Sequence, residues 1–279
     1  MLEVIHPGLY TSLQDMGRYG FREIGVPVSG AMDQLSLGLL NKIIGNTPKM
    51  AAMEMTLLGP KLRFQATTRI IIGGAPIQAE LEGRPVPMGQ LTRVRMGEEL
   101  HFGSVQQGCR SYLLVKGGFQ VKKVLKSSSQ YFPLTDKGFL RKRMTVGYKT
   151  FDREIPMKTA YSLSHLEESI LEVYRGPEFE LLASKDLERL FFRPFHLAKE
   201  QDRMGIQLQE PLTTHDHSLL TSAVLPGTVQ YTPSGKLIVL MRDGQTTGGY
   251  PRVLQLSERA ISVLAQKRVG DSIRLKLLR

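Results

Sequence analysis

Between Ala52 and Val115 the chain is cut by glycine and proline signals into seven short apolar or alternating runs: 52–56, 62–64, 69–72, 78–81, 91–95, 100–102 and 110–115. A globular helix needs about ten to twelve residues of 3.6-residue periodicity, so none of these runs is long enough to be one. Short runs at this spacing are the pattern of an all-β sandwich or barrel, with Glu82-Gly83 as the clearest hairpin turn. Within the first run Glu54 lies between Met53 and Met55. It is either the outward face of an alternating strand, the commoner case, or a buried carboxylate that needs a partner.

The flanking sequence carries the same grammar. Residues 2–5 and 9–13 read as strands, followed by Gln14 to Asp33, where Gly17, Gly20, Gly25, Pro27 and Gly30 forbid a regular element. Tyr19, Phe21, Ile24 and Val26 make that segment too apolar for disorder, so it is expected to be an ordered loop facing a ligand or another subunit, the alternative being a loop that covers the core with its apolar residues. Its polar equipment is Asp15, Arg18, Arg22, Ser29 and Asp33. Asp33 is a good N-cap for a helix with Leu35, Leu39, Leu40 and Ile43 on one stripe, stopped by Gly45-Asn46. Residues 117–165 have little periodicity and read as an irregular basic connection containing Ser127, Ser128 and Ser129. Strands resume near 170–173, 206–208, 228–231, 237–241 and 252–256, with short helices capped by Ser184 and Ser257. This divides the chain into an N-terminal β domain (1–116), the connection (117–165) and a C-terminal β domain (166–279). Arg95 to Phe102 and Arg268 to Leu275 share one order of arginine, glycine, acid and aliphatic residues, a weak internal echo.

The stretch Leu237 to Val253, LIVLMRDGQTTGGYPRV, is the most suggestive of function. A short apolar run of this kind fits a strand buried on both faces, and it stops at the turn-favouring pair Asp243-Gly244. Gln245, Thr246 and Thr247 then present an amide and two hydroxyls, and Gly248-Gly249 lets a backbone or ligand approach, with Tyr250 closing the segment. This is either a binding surface for a small polar molecule or a hairpin tip whose threonines satisfy their own backbone.

Composition excludes several classes. At 279 residues and 41% hydrophobic, the chain can bury a proper core. No run approaches the roughly twenty apolar residues that span a bilayer, and the N-terminus has no secretory h-region, so a cytoplasmic location is expected. The single cysteine, Cys109, leaves no internal disulfide and no multi-cysteine metal site. The net charge is +11, and residues 116–149 hold nine Lys and Arg against the one acid Asp136. That loop has few aromatics spaced for stacking and no nucleic-acid-binding signature appears, so a solvated or partner-facing surface is expected rather than nucleic acid. Neither a nucleophile elbow, a phosphate loop, a zincin motif nor a dinucleotide fingerprint is present. His215-Asp216-His217 lacks a nearby third ligand, so no metal is expected.

Several segments together, QDMGRYGFREIGVPVSGAMD, GCRSYLLVKGG, RGPE, DRMGIQL and SAVLPGTVQYTPSGKLIVLMRDGQTTGGYPRV, resemble the KipA family. This is the family of the C component of 5-oxoprolinase (PxpC), also described as allophanate hydrolase subunit 2-like or biotin-dependent carboxyltransferase-type. The resemblance implies a mainly β fold with two cyclophilin-like β-barrel or β-sheet parts and a few short helices. It implies a subunit of an ATP-dependent 5-oxoprolinase that converts 5-oxoproline to glutamate together with KipI-like and LamB/YcsF-like subunits. Alternatives within the family are a carboxyltransferase module related to urea carboxylase and a non-catalytic antagonist of a KipI-like inhibitor. No biotinyl-lysine motif is present, so any biotin would ride on another chain, and ATP would serve the complex through a component left unspecified. The matched motifs place a substrate site at Asp15, Arg18, Ser29, Asp33 and Glu54 in the first half and at Arg203, Gln230, Asp243, Gln245, Thr246, Thr247 and Tyr250 in the second. Relatives often carry Gly-Ser-x-Ser-Thr where this chain has Lys126 to Gln130, and asparagine where it has Asp202.

Overall fold

The computed structural model describes residues 1–156 and 159–278. Residues 157 and 158 of the connection and residue 279 of the C-terminal domain lie outside them. The chain forms two compact units: residues 1–18 with 29–166, and residues 19–28 with 167–279. The architecture is mainly β with a few short helices, as the sequence predicts.

The first unit contains two sheets. One orders the strands Phe119–Gln120, Thr145–Tyr148, Leu2–His6, Lys61–Phe64, Glu99–Val105, Ile77–Leu81 and Arg84–Pro85. The other orders Tyr10–Gln14, Ala52–Thr56, Arg110–Val115, Thr68–Gly74 and Thr92–Val94. Alternate residues of a strand point to opposite faces. Accordingly Met53, Met55, Ile70, Ile72, Leu113 and Val115 join one core with Leu2, Val4, Leu62 and Phe64 of the first sheet. Ala52, Ile71, Tyr112 and Leu114 face the other way, under helix α1 (Gln34–Ile44). The five-stranded sheet is therefore covered on both faces, which is why its strands read as continuous apolar runs.

Helix α1 begins at Asp33, whose carboxylate accepts from the Ser36 N–H, and ends at Gly45 in the left-handed conformation. Its buried stripe is Leu37, Leu40, Ile43 and Ile44, and Leu35 and Leu39 are only partly covered. Leu40 and Ile43 are buried as expected, and Leu37 and Ile44 take the places expected of Leu35 and Leu39. Gly73 of the sheet has no side chain, and a Cβ there would stand 2.5 Å from a Leu40 methyl, so the helix packs closely on the sheet at Leu40.

Two further differences concern the connection and the loop. Residues 117–165 do not stand apart, because Phe119–Gln120 and Thr145–Tyr148 extend the seven-stranded sheet of the first unit. Strands of two and four residues are too short to leave a periodicity that a sequence reading can find. Residues 19–28 of the glycine-rich loop belong to the second unit.

That unit is a closed barrel in the order Ile170–Arg175, Arg252–Leu256, Thr228–Tyr231, Leu237–Leu240, Gly205–Leu208, Phe195–Gln201 and Ser272–Leu277. It closes through a parallel pairing of the last strand with the first, so no strand edge is left open. Helix α2 (Ser184–Phe192) starts after Ala183 with no side-chain cap, against the expectation for Ser184. Helix α3 (Glu258–Leu264) is capped by the Ser257 hydroxyl, as expected. The echoed segments make the same turn: Glu98 accepts from the Arg95 N–H at 2.7 Å, and Asp271 from the Arg268 N–H at 2.8 Å. Gly97 and Gly270 take positive φ in each turn, and a strand follows.

Candidate functional site

The residues singled out from the sequence fall into two groups, one in each unit. In the first, Asp15 sits where the strand Tyr10–Gln14 ends. Its Oδ1 accepts from the Gly17 N–H at 2.8 Å and from the Ser127 and Ser129 hydroxyls, each at 2.7 Å. Its Oδ2 accepts from the Ser128 N–H at 2.6 Å. Arg18 donates to the Ser129 carbonyl. The serine run is thus the partner of the Asp15 carboxylate, a pairing across more than a hundred residues with no local sequence signal. Ser29 is fully buried at φ 54°, and its hydroxyl has no partner among the described residues. Next to it Gly30 lies so close to the Gly17 backbone that a Cβ would stand 2.8 Å away.

Glu54 and Asp33 belong to one buried network beneath α1. Glu54 is 1% exposed, which corrects the outward-facing reading: α1 and the chain entering it cover that face of the sheet. Its Oε2 accepts from the Met32 N–H and the Tyr112 hydroxyl, each at 2.8 Å. The same hydroxyl accepts from the Asp33 N–H at 2.9 Å. Asp33 Oδ2 accepts from the Ser36 hydroxyl at 2.6 Å and lies 2.8 Å from Nε2 of the buried His165. Burial, reinforced by the Glu54 charge, pushes the Tyr112 phenol well above its usual range. Tyr112 and His165 escaped the sequence reading because neither lies near the residues it completes. All five first-half residues are buried, and they organise the interior around the loop ends.

In the second unit Asp243 and Arg203 form a buried fork, with Arg203 Nε to Asp243 Oδ2 at 2.7 Å and Nη2 to Oδ1 at 3.2 Å. The Asp243 N–H also reaches the Arg203 carbonyl at 2.8 Å. This double link fixes the turn after the strand Leu237–Leu240 to the turn that precedes Gly205–Leu208. The following residues are held differently. Gln245, Thr247 and Tyr250 are exposed and Thr246 is half-buried. Thr247–Gly248 pairs with Ser222–Ala223 in a two-stranded ribbon, so the segment is ordered although it faces solvent. The Gln245 amide donates to Oε1 of the buried Gln230 at 3.2 Å. Arg22, one of the loop's polar residues but outside the sequence-based site set, donates from Nη2 to the Thr246 carbonyl at 3.2 Å.

The buried pairs are scaffolding, and the chemistry open to a ligand is that of the turn 245–250: an amide, two hydroxyls and a phenol over a glycine pair. Such a surface can hold a small polar molecule by hydrogen bonds. Among the described residues no group of three or more His, Cys, Asp or Glu could hold a metal ion. His215 instead packs against Tyr231, with ring centroids 4.1 Å apart. No helix among them is long and apolar enough to cross a membrane.

The fold is that of a mainly β protein with a seven-stranded barrel. Residues 24–277 match the model of the carboxyltransferase domain, subdomain A and B, and the chain belongs to that family. It is 33% identical to the C component of 5-oxoprolinase from Escherichia coli (strain K12), covering 98% of this chain and 90% of that protein. It is 28% identical to urea amidolyase of Saccharomyces cerevisiae, covering 98% of this chain but 16% of that protein. Among solved structures, urea carboxylase of Kluyveromyces lactis superposes with a TM-score of 0.89 at 26% identity, over 100% of this chain and 27% of that one. The crystal structure of TTHA0988 gives 0.88 at 29% identity over 99% of this chain, which spans about half (55%) of that one.

Proposed function

We propose that this chain is a subunit of a 5-oxoprolinase-type complex that opens the lactam of 5-oxoproline to glutamate at the expense of ATP. The observation that carries this reading is correspondence over nearly the whole of both proteins with the C component of 5-oxoprolinase from Escherichia coli. The urea amidolyase match occupies a minor part of a much longer protein. The partners in this reading are one KipI-like and one LamB/YcsF-like protein. The turn 245–250 holds the lactam: the Gln245 amide and the Thr246 and Thr247 hydroxyls bind its amide group, while the Arg203–Asp243 fork keeps the turn in place.

No phosphate-loop motif is present in the sequence. The N-termini of α1 and α3 are closed by Asp33 and Ser257, and Arg22 stands as a single guanidinium beside the turn. We therefore place ATP on another member of the complex. A second reading, a carboxyltransferase module acting on a urea-like substrate, is favoured by the superposition on urea carboxylase.

The test is reconstitution. The purified chain alone should release no glutamate from 5-oxoproline and ATP, and addition of the two partner proteins should start turnover. Omitting this chain should stop it. Robust turnover by the chain alone, or by the two partners without it, overturns the proposal. Urea-dependent but not 5-oxoproline-dependent ATP consumption in the assembled system selects the second reading.

A further inference from the structure

Two polar groups beside the turn 245–250 are built in but left incomplete. The first is Arg22, at the start of the short 3-10 turn Arg22–Ile24. That turn is fixed by the Gly25 N–H on the Arg22 carbonyl at 3.0 Å and the Val26 N–H on the Phe21 carbonyl at 3.3 Å. Arg22 Nη2 is committed to the Thr246 carbonyl, whereas Nη1 is buried and has no hydrogen-bond partner among the described residues. Partial burial alone lowers its pKa from the ordinary arginine value, with no carboxylate pulling the other way. A guanidinium withdrawn from water without a counter-charge is costly unless an anion completes it.

The second group is Gln230, 2% exposed, on the barrel strand Thr228–Tyr231. Its Oε1 takes the Gln245 amide, but its own Nε2 donates to nothing among the described residues. A Cβ on Gly248 would stand 2.3 Å from that nitrogen, so the missing side chain keeps the space before the amide clear. Both uncompleted donors are anchored to the same four residues, Gln245 to Gly248. One is cationic and one neutral, and the neighbouring groups are hydroxyls.

We propose that Arg22 and Gln230 form a carboxylate-recognition pair, in which the Arg22 guanidinium and the Gln230 amide each donate to an oxygen of a planar anionic group on the ligand. The inference rests on the reading that the turn 245–250 holds the substrate, and it adds what that reading lacks, the sign of the ligand's charge. 5-Oxoproline carries a carboxylate beside its lactam and urea carries none, so Arg22 is the residue by which this site prefers the first. Charge-assisted bonds of this kind are about twice as strong as neutral ones.

Binding to the full-length chain, measured by saturation-transfer NMR and calorimetry, tests the pair with two probes: 5-oxoproline and its uncharged parent 2-pyrrolidinone. The unsubstituted chain should bind 5-oxoproline about tenfold or more tighter than 2-pyrrolidinone. Arg22→Gln should weaken 5-oxoproline by about ten- to a hundredfold and leave 2-pyrrolidinone within about twofold. Arg22→Lys should recover part of the loss, and Gln245→Ala should weaken both probes. Unchanged 5-oxoproline affinity in Arg22→Gln, with a loss in Gln245→Ala, overturns the carboxylate pair and keeps the turn as the site. Equal losses of both probes in Arg22→Gln also overturn it, since Arg22 would then only support the turn. No binding of either probe by the unsubstituted chain overturns the pair together with the site reading.

Discussion

Tyr112→Phe removes one oxygen from a side chain that is fully buried between the five-stranded sheet and α1. That oxygen does two things at once. It donates to the Glu54 carboxylate at 2.8 Å and accepts from the Asp33 N–H at 2.9 Å, tying the central strands to the helix entrance. The ring stays, so no cavity larger than a hydroxyl is created and the cost is that of the two hydrogen bonds. A bond to a charged group is worth about 1.5–3 kcal/mol, and withdrawing the acceptor of a buried N–H costs about 1–3 kcal/mol. Allowing for relaxation, a loss of about 3 kcal/mol is expected. In a chain of this size each kcal/mol lowers Tm by about 2–4 °C, which gives a drop of roughly 10 °C. Urea titrations followed by far-ultraviolet circular dichroism, with Glu54→Gln and the double variant alongside, measure the loss and its coupling. The two single changes should be strongly non-additive, because both act on the same bond: one removes its donor and the other the charge of its acceptor. A Tyr112→Phe protein that loses less than about 0.5 kcal/mol refutes the view that this network fastens α1 to the sheet.

Gly248→Ala should leave the melt nearly unchanged but displace the Gln230 amide from Gln245, lowering kcat/KM of the reconstituted complex by about tenfold, as steady-state assays would show. Asp243→Asn should destabilise the second unit by about 3 kcal/mol, because it leaves the buried Arg203 facing a neutral amide, and loss of activity in that variant should follow loss of fold in thermal scans. The Arg252 fork, its hydrogen bonds first, holds the Glu178 carboxyl below its usual range. The stability it adds is present above the unfolded value of about 4.3 and is lost as pH falls through the lower folded value. The urea midpoints of the parent and of Glu178→Gln should therefore converge between about pH 5 and pH 3, and a gap that stays constant there would exclude the linkage.

Local signals carried the reading wherever the chemistry was local. Asp33 and Ser257 cap helices because an N-cap needs only its own N–H neighbours three residues on. The short runs of 52–115 became strands because their length and punctuation exclude anything else. Glu54 shows where this stops: nothing in the AMEMT run says that a helix will cover its face, and covering turns a commonplace outward acid into a buried one. The serines at 127–129 read as irregular because their order comes from Asp15, far away in the chain. In the candidate site the amide, hydroxyls and glycines at 245–249 were legible as a pattern, whereas the incomplete donors of Arg22 and Gln230 were not. Whether a donor is satisfied depends on three-dimensional neighbours that no spacing rule records.

The placement of residues 19–28 with the second unit has a consequence for synthesis. These ten residues leave the ribosome early, yet the barrel they belong to begins only at residue 167. All of 29–166 must be made first, a delay on the order of ten seconds at about 5–20 residues per second. During that interval Tyr19, Ile24 and Arg22 have no barrel to join, and the nascent first unit must fold while holding them as an unfinished loop. A break at 166/167 would consequently give no two self-sufficient fragments: one would carry ten residues without a home, and the other would lack the guanidinium set beside its own turn.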